Sequence, residues 1–283
     1  MVAGCWAQIE AGNNFYCAVL RGAGSLSCWG NTGINTPPAG LTGVQMVAAD
    51  NSTCVVLSPG GTVQCWGDNS KNQLAVPAGL AGVTYIDVSC GGTVCAVYGS
   101  GQIKCWGWRS PLGSADVPIN LPAAKAVAVA REITCALLVA GTVSCWGGYY
   151  IPGSLMPGLT KVTAISAGCD HVCVLKADTT VECWGAYRDT PQSTVPPGLA
   201  GAVALSAGPY STCALTGNGT SIVCWGQVAV PADAIPAGQQ AIQLSAGNGS
   251  TCLTLSSGAI NCFGAASASL PTPPTCSPLG SPN

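Results

Sequence analysis

The chain has 283 residues, with nine Lys/Arg, eleven Asp/Glu, one His and a net charge of −2. So few cations cannot form the basic stripe a nucleic-acid binder needs, and one histidine leaves little for acid–base catalysis or a His-based zinc site. A composition 48% hydrophobic excludes disorder. Apolar stretches such as Ala126–Ala130 and Ala136–Ala140 end well short of the roughly 18 residues that span a membrane.

Along the chain one unit returns. Cys-Trp-Gly occurs at 28–30, 65–67, 105–107, 145–147, 183–185 and 224–226, and Cys262-Phe263-Gly264 is a seventh, altered copy. Each has a partner ten or eleven residues upstream: Cys17, Cys54, Cys95, Cys135, Cys173, Cys213 and Cys252. In the second unit, Thr53–Leu57 and Thr62–Gly67 flank Ser58-Pro59-Gly60-Gly61, which reads as a β-hairpin. Gly43–Ala48 supplies a preceding strand, and a Pro/Gly-rich loop such as 31–42 links units. Helical periodicity is lacking, because Gly and Pro punctuate every ten residues. Seven units of about 40 residues predict an all-β, seven-bladed β-propeller. An open β-solenoid is the alternative.

The two cysteines of a unit face each other across a hairpin, within disulfide reach. This predicts one disulfide per blade: Cys17–Cys28, Cys54–Cys65, Cys95–Cys105, Cys135–Cys145, Cys173–Cys183, Cys213–Cys224 and Cys252–Cys262. Zinc is the weaker reading, since no Cys-x-x-Cys pair exists. Four cysteines remain. Cys5 sits where Gly43 sits in the next unit, and Cys276 lies 14 residues after Cys262, so a Cys5–Cys276 bond is expected to clasp a closed ring. Cys90 and Cys169 lie in equivalent turns of units three and five; either they bond across the mouth of the central channel or they stay free. Eighteen cysteines imply an oxidising compartment. The start, Met1-Val2-Ala3-Gly4-Cys5, reads as that of a mature or excised segment without its signal peptide.

Residues 1–276 are expected to form one propeller, with 277–283 a Pro/Ser-rich linker that begins near residue 270. Asn51-Ser-Thr, Asn218-Gly-Thr and Asn248-Gly-Ser are glycosylation sequons. Each Trp of Cys-Trp-Gly is expected between blades, and His171 is expected to make a structural hydrogen bond. Trp108-Arg109, Tyr149-Tyr150 and Tyr187-Arg188 follow Cys-Trp-Gly in three consecutive units. They would place aromatics and arginine on one face, as interface anchors do. The bland alternative is that these rings cover thin loops.

The segments Gly168–Lys176 and Val181–Gly185 resemble the repeat of the regulator-of-chromosome-condensation superfamily. Trp66–Asn69 with Asn72–Val83 is similar to the propeller-type bacterial β-lactamase-inhibitor repeat, and the paired cysteines resemble the ectodomains of crinkly-type plant receptor kinases. The Pro-rich tail resembles hydroxyproline-rich wall glycoproteins. The resemblance implies a rigid disc whose loops bind another macromolecule. The superfamily's nucleotide exchange on a nuclear GTPase does not carry over to a chain so poor in charge and so rich in cysteine. A secreted or cell-surface, non-enzymatic module for a protein or glycan is expected, with no cofactor, metal, nucleic acid or membrane span. A self-associating matrix block and an enzyme inhibitor are the alternatives.

Overall fold

The computed structural model describes residues 6–22, 24–31, 33–148, 159–185 and 190–264. Seven three-stranded antiparallel sheets follow one another, each built from consecutive strands. In blade 1 these are Trp6–Ala11, Phe15–Leu20 and Leu26–Gly30. The first strand of every blade touches the first strands of both neighbours, and blade 1 meets blade 7 in the same way. The architecture is therefore a closed seven-bladed propeller with the first strands innermost.

Among the described residues, closure uses no shared strand. Ala11 N–H donates to Ser245 Oγ at 2.8 Å, and the Gln243 amide donates to the Ala7 carbonyl at 2.5 Å. The Tyr16 and Ser250 hydroxyls pair at 2.9 Å. Cys5, Cys276 and the tail from 265 onward lie outside the described residues.

The core is divided among the seams between blades. Phe15, Cys17 and Val19 of blade 1 pack on Val44, Val47, Val55 and Trp66 of blade 2, and six similar clusters fill the other seams. Middle strands such as Ser52–Leu57 lie between two neighbouring blades and are buried for five consecutive residues. Each fully buried Val, Leu or Phe contributes about 1.5–3 kcal/mol relative to exposure.

The Trp of Cys-Trp-Gly lies at these seams. In three of the six copies it has a polar anchor, whereas the indole N–H groups of Trp29, Trp184 and Trp225 are buried without a partner among the described residues. Trp66, Trp106 and Trp146 donate their indole N–H to the Asn35, Gln73 and Ser114 carbonyls at 2.9–3.0 Å, all in the preceding interblade loop. The glycine after each of these has a positive φ (+104° at Gly67), and a Cβ there would strike Asn35 Oδ1. Only glycine fits both demands.

Cys17 pairs directly with Cys28 in the hairpin register, and the equivalent pairing recurs in all seven blades. Each pair is a disulfide with Cα atoms 4.0–4.1 Å apart. His171 is fully buried, and its Nε2 hydrogen-bonds the Thr212 hydroxyl of the next blade at 2.7 Å. Burial lowers its pKa to about 4, so it is neutral at ordinary pH. Among the described residues no helix is long and apolar enough to cross a membrane.

Candidate functional site

Each inner strand ends in a short turn before the middle strand, and each outer strand ends on the same face. The residue after Cys-Trp-Gly is tied to its blade's turn. Asn31, Asp68, Trp108 and Gln227 donate their backbone N–H to the carbonyls of Asn14, Asn51, Gly92 and Tyr210 at 2.8–3.2 Å. The turns that ring the channel and the segments that start the interblade loops thus form one surface, the turn face.

The turns are cross-linked around part of the mouth. Asn248 and Asn14 donate to Asn13 Oδ1, Asn13 donates to Asn51 Oδ1 at 2.9 Å, and Asn51 donates to the Cys90 carbonyl at 3.3 Å. Cys90 is joined to Cys169 by a disulfide. The Cys169 carbonyl accepts the N–H of Arg131 from the blade between them at 2.8 Å, and the Arg131 guanidinium lies 3.8 Å from Asp170.

Trp108 is half-buried on this face. Its indole lies against Gly91, where an added Cβ would stand 3.1 Å from the ring, beside the aliphatic stem of Arg131. The Trp108 carbonyl accepts the Thr93 hydroxyl at 2.9 Å. One part of the ring therefore covers a glycine turn and the rest meets solvent. Arg109 is exposed and pairs with exposed Asp116 at 3.4 Å, a contact of little energetic weight. Tyr149, Tyr150, Tyr187 and Arg188 lie outside the described residues. The sequons separate by setting. Asn218 is exposed at a hairpin tip on the opposite face, whereas Asn51 and Asn248 are half-buried in the turn-face amide network.

Below the turns the inner strands line a cavity of about 180 Å³. Its wall is unequal. Gln8, Glu10, Asp50, Tyr85 and Asp87 come from blades 1 to 3, while blades 4 to 6 contribute mainly Val127, Ser166, Ala167 and Ser206. Burial raises Glu10 to about 8, helped by the charge of Asp87 and opposed by a hydrogen bond from Gln8. Burial likewise raises Asp87 and Asp50 to about 7, against backbone N–H donors from Val129 and Asn51 respectively. Among the described residues no three His, Cys, Asp or Glu side chains converge as a metal site.

Sequence reasoning missed these carboxyls, but the repeat contains the signal. The fifth position of the inner strands reads Glu10, Ala48, Asp87, Ala128, Ser166 and Ser245, with Ser206 in the shorter sixth blade. Asp87, Ser166, Ser206 and Ser245 each accept a backbone N–H from the next blade at 2.7–3.0 Å. Position five is thus a seam bond in four blades, and in two of the seven units its occupant is a carboxyl.

Seven consecutive blades, inner first strands and one disulfide per hairpin decide the comparison. In fold, the chain is similar to crinkly-type receptor-kinase ectodomains. The CRINKLY WD40 ectodomain of the Arabidopsis thaliana receptor kinase ACR4 has a TM-score of 0.71 at 24% identity, over 93% of this chain and 99% of that one. The entire ectodomain of the Physcomitrella patens receptor kinase CR4 has a TM-score of 0.70 at 23% identity, over 90% of this chain and 72% of that one. Prp20p from Saccharomyces cerevisiae, whose binding to Gsp1p and histones is known, has a TM-score of 0.52 at 13% identity, over 92% of this chain and 72% of that one. No family model and no curated protein matches the chain. At these identities the likeness establishes the fold and leaves the activity to the site.

Proposed function

We propose that this chain is a secreted or cell-surface, non-enzymatic binding module that engages an extracellular protein or glycan through the turn face. The observation that carries the reading is the stiffness of that face. Its turns are held by an amide network and by a disulfide across two blades. A surface ordered before its partner arrives loses little entropy on binding. Trp108 supplies a rigid, partly exposed ring on it, with Arg109 beside it and Tyr149, Tyr150, Tyr187 and Arg188 expected nearby. Eight disulfides among the described residues fit an oxidising, extracellular setting.

The test replaces Trp108, Tyr150 and Tyr187 with Ala together and measures binding to extracellular protein and glycan arrays. The reading expects retained folding and at least a tenfold loss of binding, the factor that about 1.4 kcal/mol represents. Unchanged binding by the triple variant would remove the aromatic set from the site.

One observation favours the matrix-block reading. Ile119, Val139, Val203 and Ile242 are 92%, 64%, 45% and 41% exposed, and their places near the starts of inner strands and in a hairpin tip put them on the opposite face. Sedimentation at rising concentration distinguishes the two. Self-association abolished by Ile119→Ser with Val139→Ser supports the block, and a monomer supports the module.

A further inference from the structure

At the seam between blades 1 and 2, the turn face holds a cleft of about 340 Å³. Its wall is formed by Asn13, Asn31, Ile34, Asn35, Asn51 and Asp68. Four of these six side chains are primary amides and one is a carboxylate. Ile34 is 68% exposed, a large apolar side chain left open to solvent beside them.

The amides are fixed without being used up. A primary amide has two N–H donors and two acceptor lone pairs. Asn13 gives one N–H to Asn51 Oδ1, leaving a second. Asn51 gives one N–H to the Cys90 carbonyl, leaving a second, and its Oδ1 has taken one donor of two. Asn35, buried at the cleft floor, donates to the Asn51 carbonyl at 3.1 Å and accepts from Thr53 at 3.1 Å. The Asp68 carboxylate is steered by Ser70 N–H, Ser70 Oγ and Gln73 Nε2, each at 2.9 Å. Those bonds hold its pKa below the usual carboxylate value, so it stays an acceptor. The cleft thus presents oriented, unspent donors and acceptors next to a small apolar wall.

We propose that this cleft binds a neutral saccharide. Each sugar hydroxyl both donates and accepts, which amides and a carboxylate answer together, and the C–H face of a pyranose or furanose ring suits Ile34. The volume falls at the lower end of small-ligand sites and fits one or two sugar rings. Among the described residues Asp68 is the only charged side chain lining the cleft, so an anionic ligand would be repelled. Its carboxylate already takes three donors and Asn13 Oδ1 two, which leaves a divalent cation few free oxygens. The inference rests on the turn face being the binding surface. It names a second position there, one seam away from the Trp108 turn.

Titration calorimetry on protein made without N-glycans tests it, with neutral gluco-, galacto-, xylo- and arabino-oligosaccharides and with oligogalacturonate. Asn31→Ala and Ile34→Ala are suitable variants, since neither side chain takes part in a seam cluster. Asp68→Asn keeps the shape. The expected result is binding of at least one neutral oligosaccharide, no binding of oligogalacturonate, and about a tenfold weakening by each variant. Ile119→Ser, on the opposite face, should leave this binding within about twofold. Absence of neutral-sugar binding, preference for the acidic sugar, or indifference to the cleft variants would each overturn the proposal. Loss with Trp108→Ala but not with the cleft variants would overturn the cleft while leaving the turn face intact as the binding surface.

Discussion

Cys90 and Cys169 are bonded to each other with their Cα atoms 5.6 Å apart, although 79 residues separate them in sequence. One belongs to blade 3 and the other to blade 5, so the bond passes over the turn of blade 4 and holds three blades at the channel mouth. The hairpin disulfides join cysteines that a β-ladder already pairs, whereas this one joins turns that share no strand.

Replacing Cys90 and Cys169 with Ala together should therefore loosen the mouth selectively. On the chain-entropy model, opening a loop of this length costs at most about 4.5 kcal/mol, or a fall in Tm of up to about 10 °C. Hydrogen exchange should accelerate at Arg131, whose N–H is held by the Cys169 carbonyl. The hairpin ladders should stay protected. Equal protection at Arg131 in both proteins would show that the bond constrains nothing the blades do not already fix.

The ring clasp Cys5–Cys276 remains an expectation, since both residues lie outside the described residues. Peptide mapping without reduction should find a Cys5–Cys276 peptide and no free thiol. A free thiol at either position would leave closure to the blade 1–blade 7 seam, with its apolar packing and the hydrogen bonds of Ala11, Tyr16 and Gln243.

Stability should fall as pH rises from about 5 to 8.5. Glu10, Asp50 and Asp87 hold their protons to about 8, 7 and 7 in the folded state, from unperturbed values of 4.5, 3.8 and 3.8. Between those limits the folded chain binds more protons than the unfolded one, so raising the pH favours unfolding. His171 acts in the opposite sense. Its folded value of about 4 lies below 6.5, so its contribution falls as pH drops through that window. Three groups outweigh one, and thermal melts at pH 5 should exceed those at pH 8.5. Asp87→Asn keeps an acceptor for the Val129 N–H and should flatten the profile; an unchanged slope would show that Asp87 does not titrate there.

Trp146→Phe removes the indole N–H that reaches the Ser114 carbonyl together with a small part of the ring. It leaves most of the seam packing in place and should cost about 1–2 kcal/mol. Trp146→Ala also empties the seam and should cost about 3–5 kcal/mol. Denaturant midpoints measure both. Similar losses from the two variants would mean that the hydrogen bond, and not packing, dominates this residue.

In a glycosylating host, Asn218 should carry a glycan and Asn51 and Asn248 should not. Asn218 is exposed with φ +55° at a hairpin tip, and the other two amides are held within the turn-face network. Glycopeptide mass spectrometry reads the occupancy. A glycan on Asn51 would place sugar in the Asn-rich cleft and contradict the network.

The blade count, the hairpins and their disulfide partners could be read from the sequence because each is a local relation repeated seven times. Cys54 and Cys65 are eleven residues apart on one hairpin, and the two-residue period of a strand sets which residues face each other. Exclusion of a basic surface needed only composition. Three features came from tertiary structure: Cys90 meeting Cys169, the alignment of Glu10 with Asp87 along one side of the channel, and the gathering of Asn13, Asn51 and Asp68 into a cleft. Each joins different blades, and the rotation from one blade to the next is set by seam packing spread over many side chains. No spacing along the chain encodes that rotation, so the repeat specifies the blades while the closed ring decides which of their residues meet.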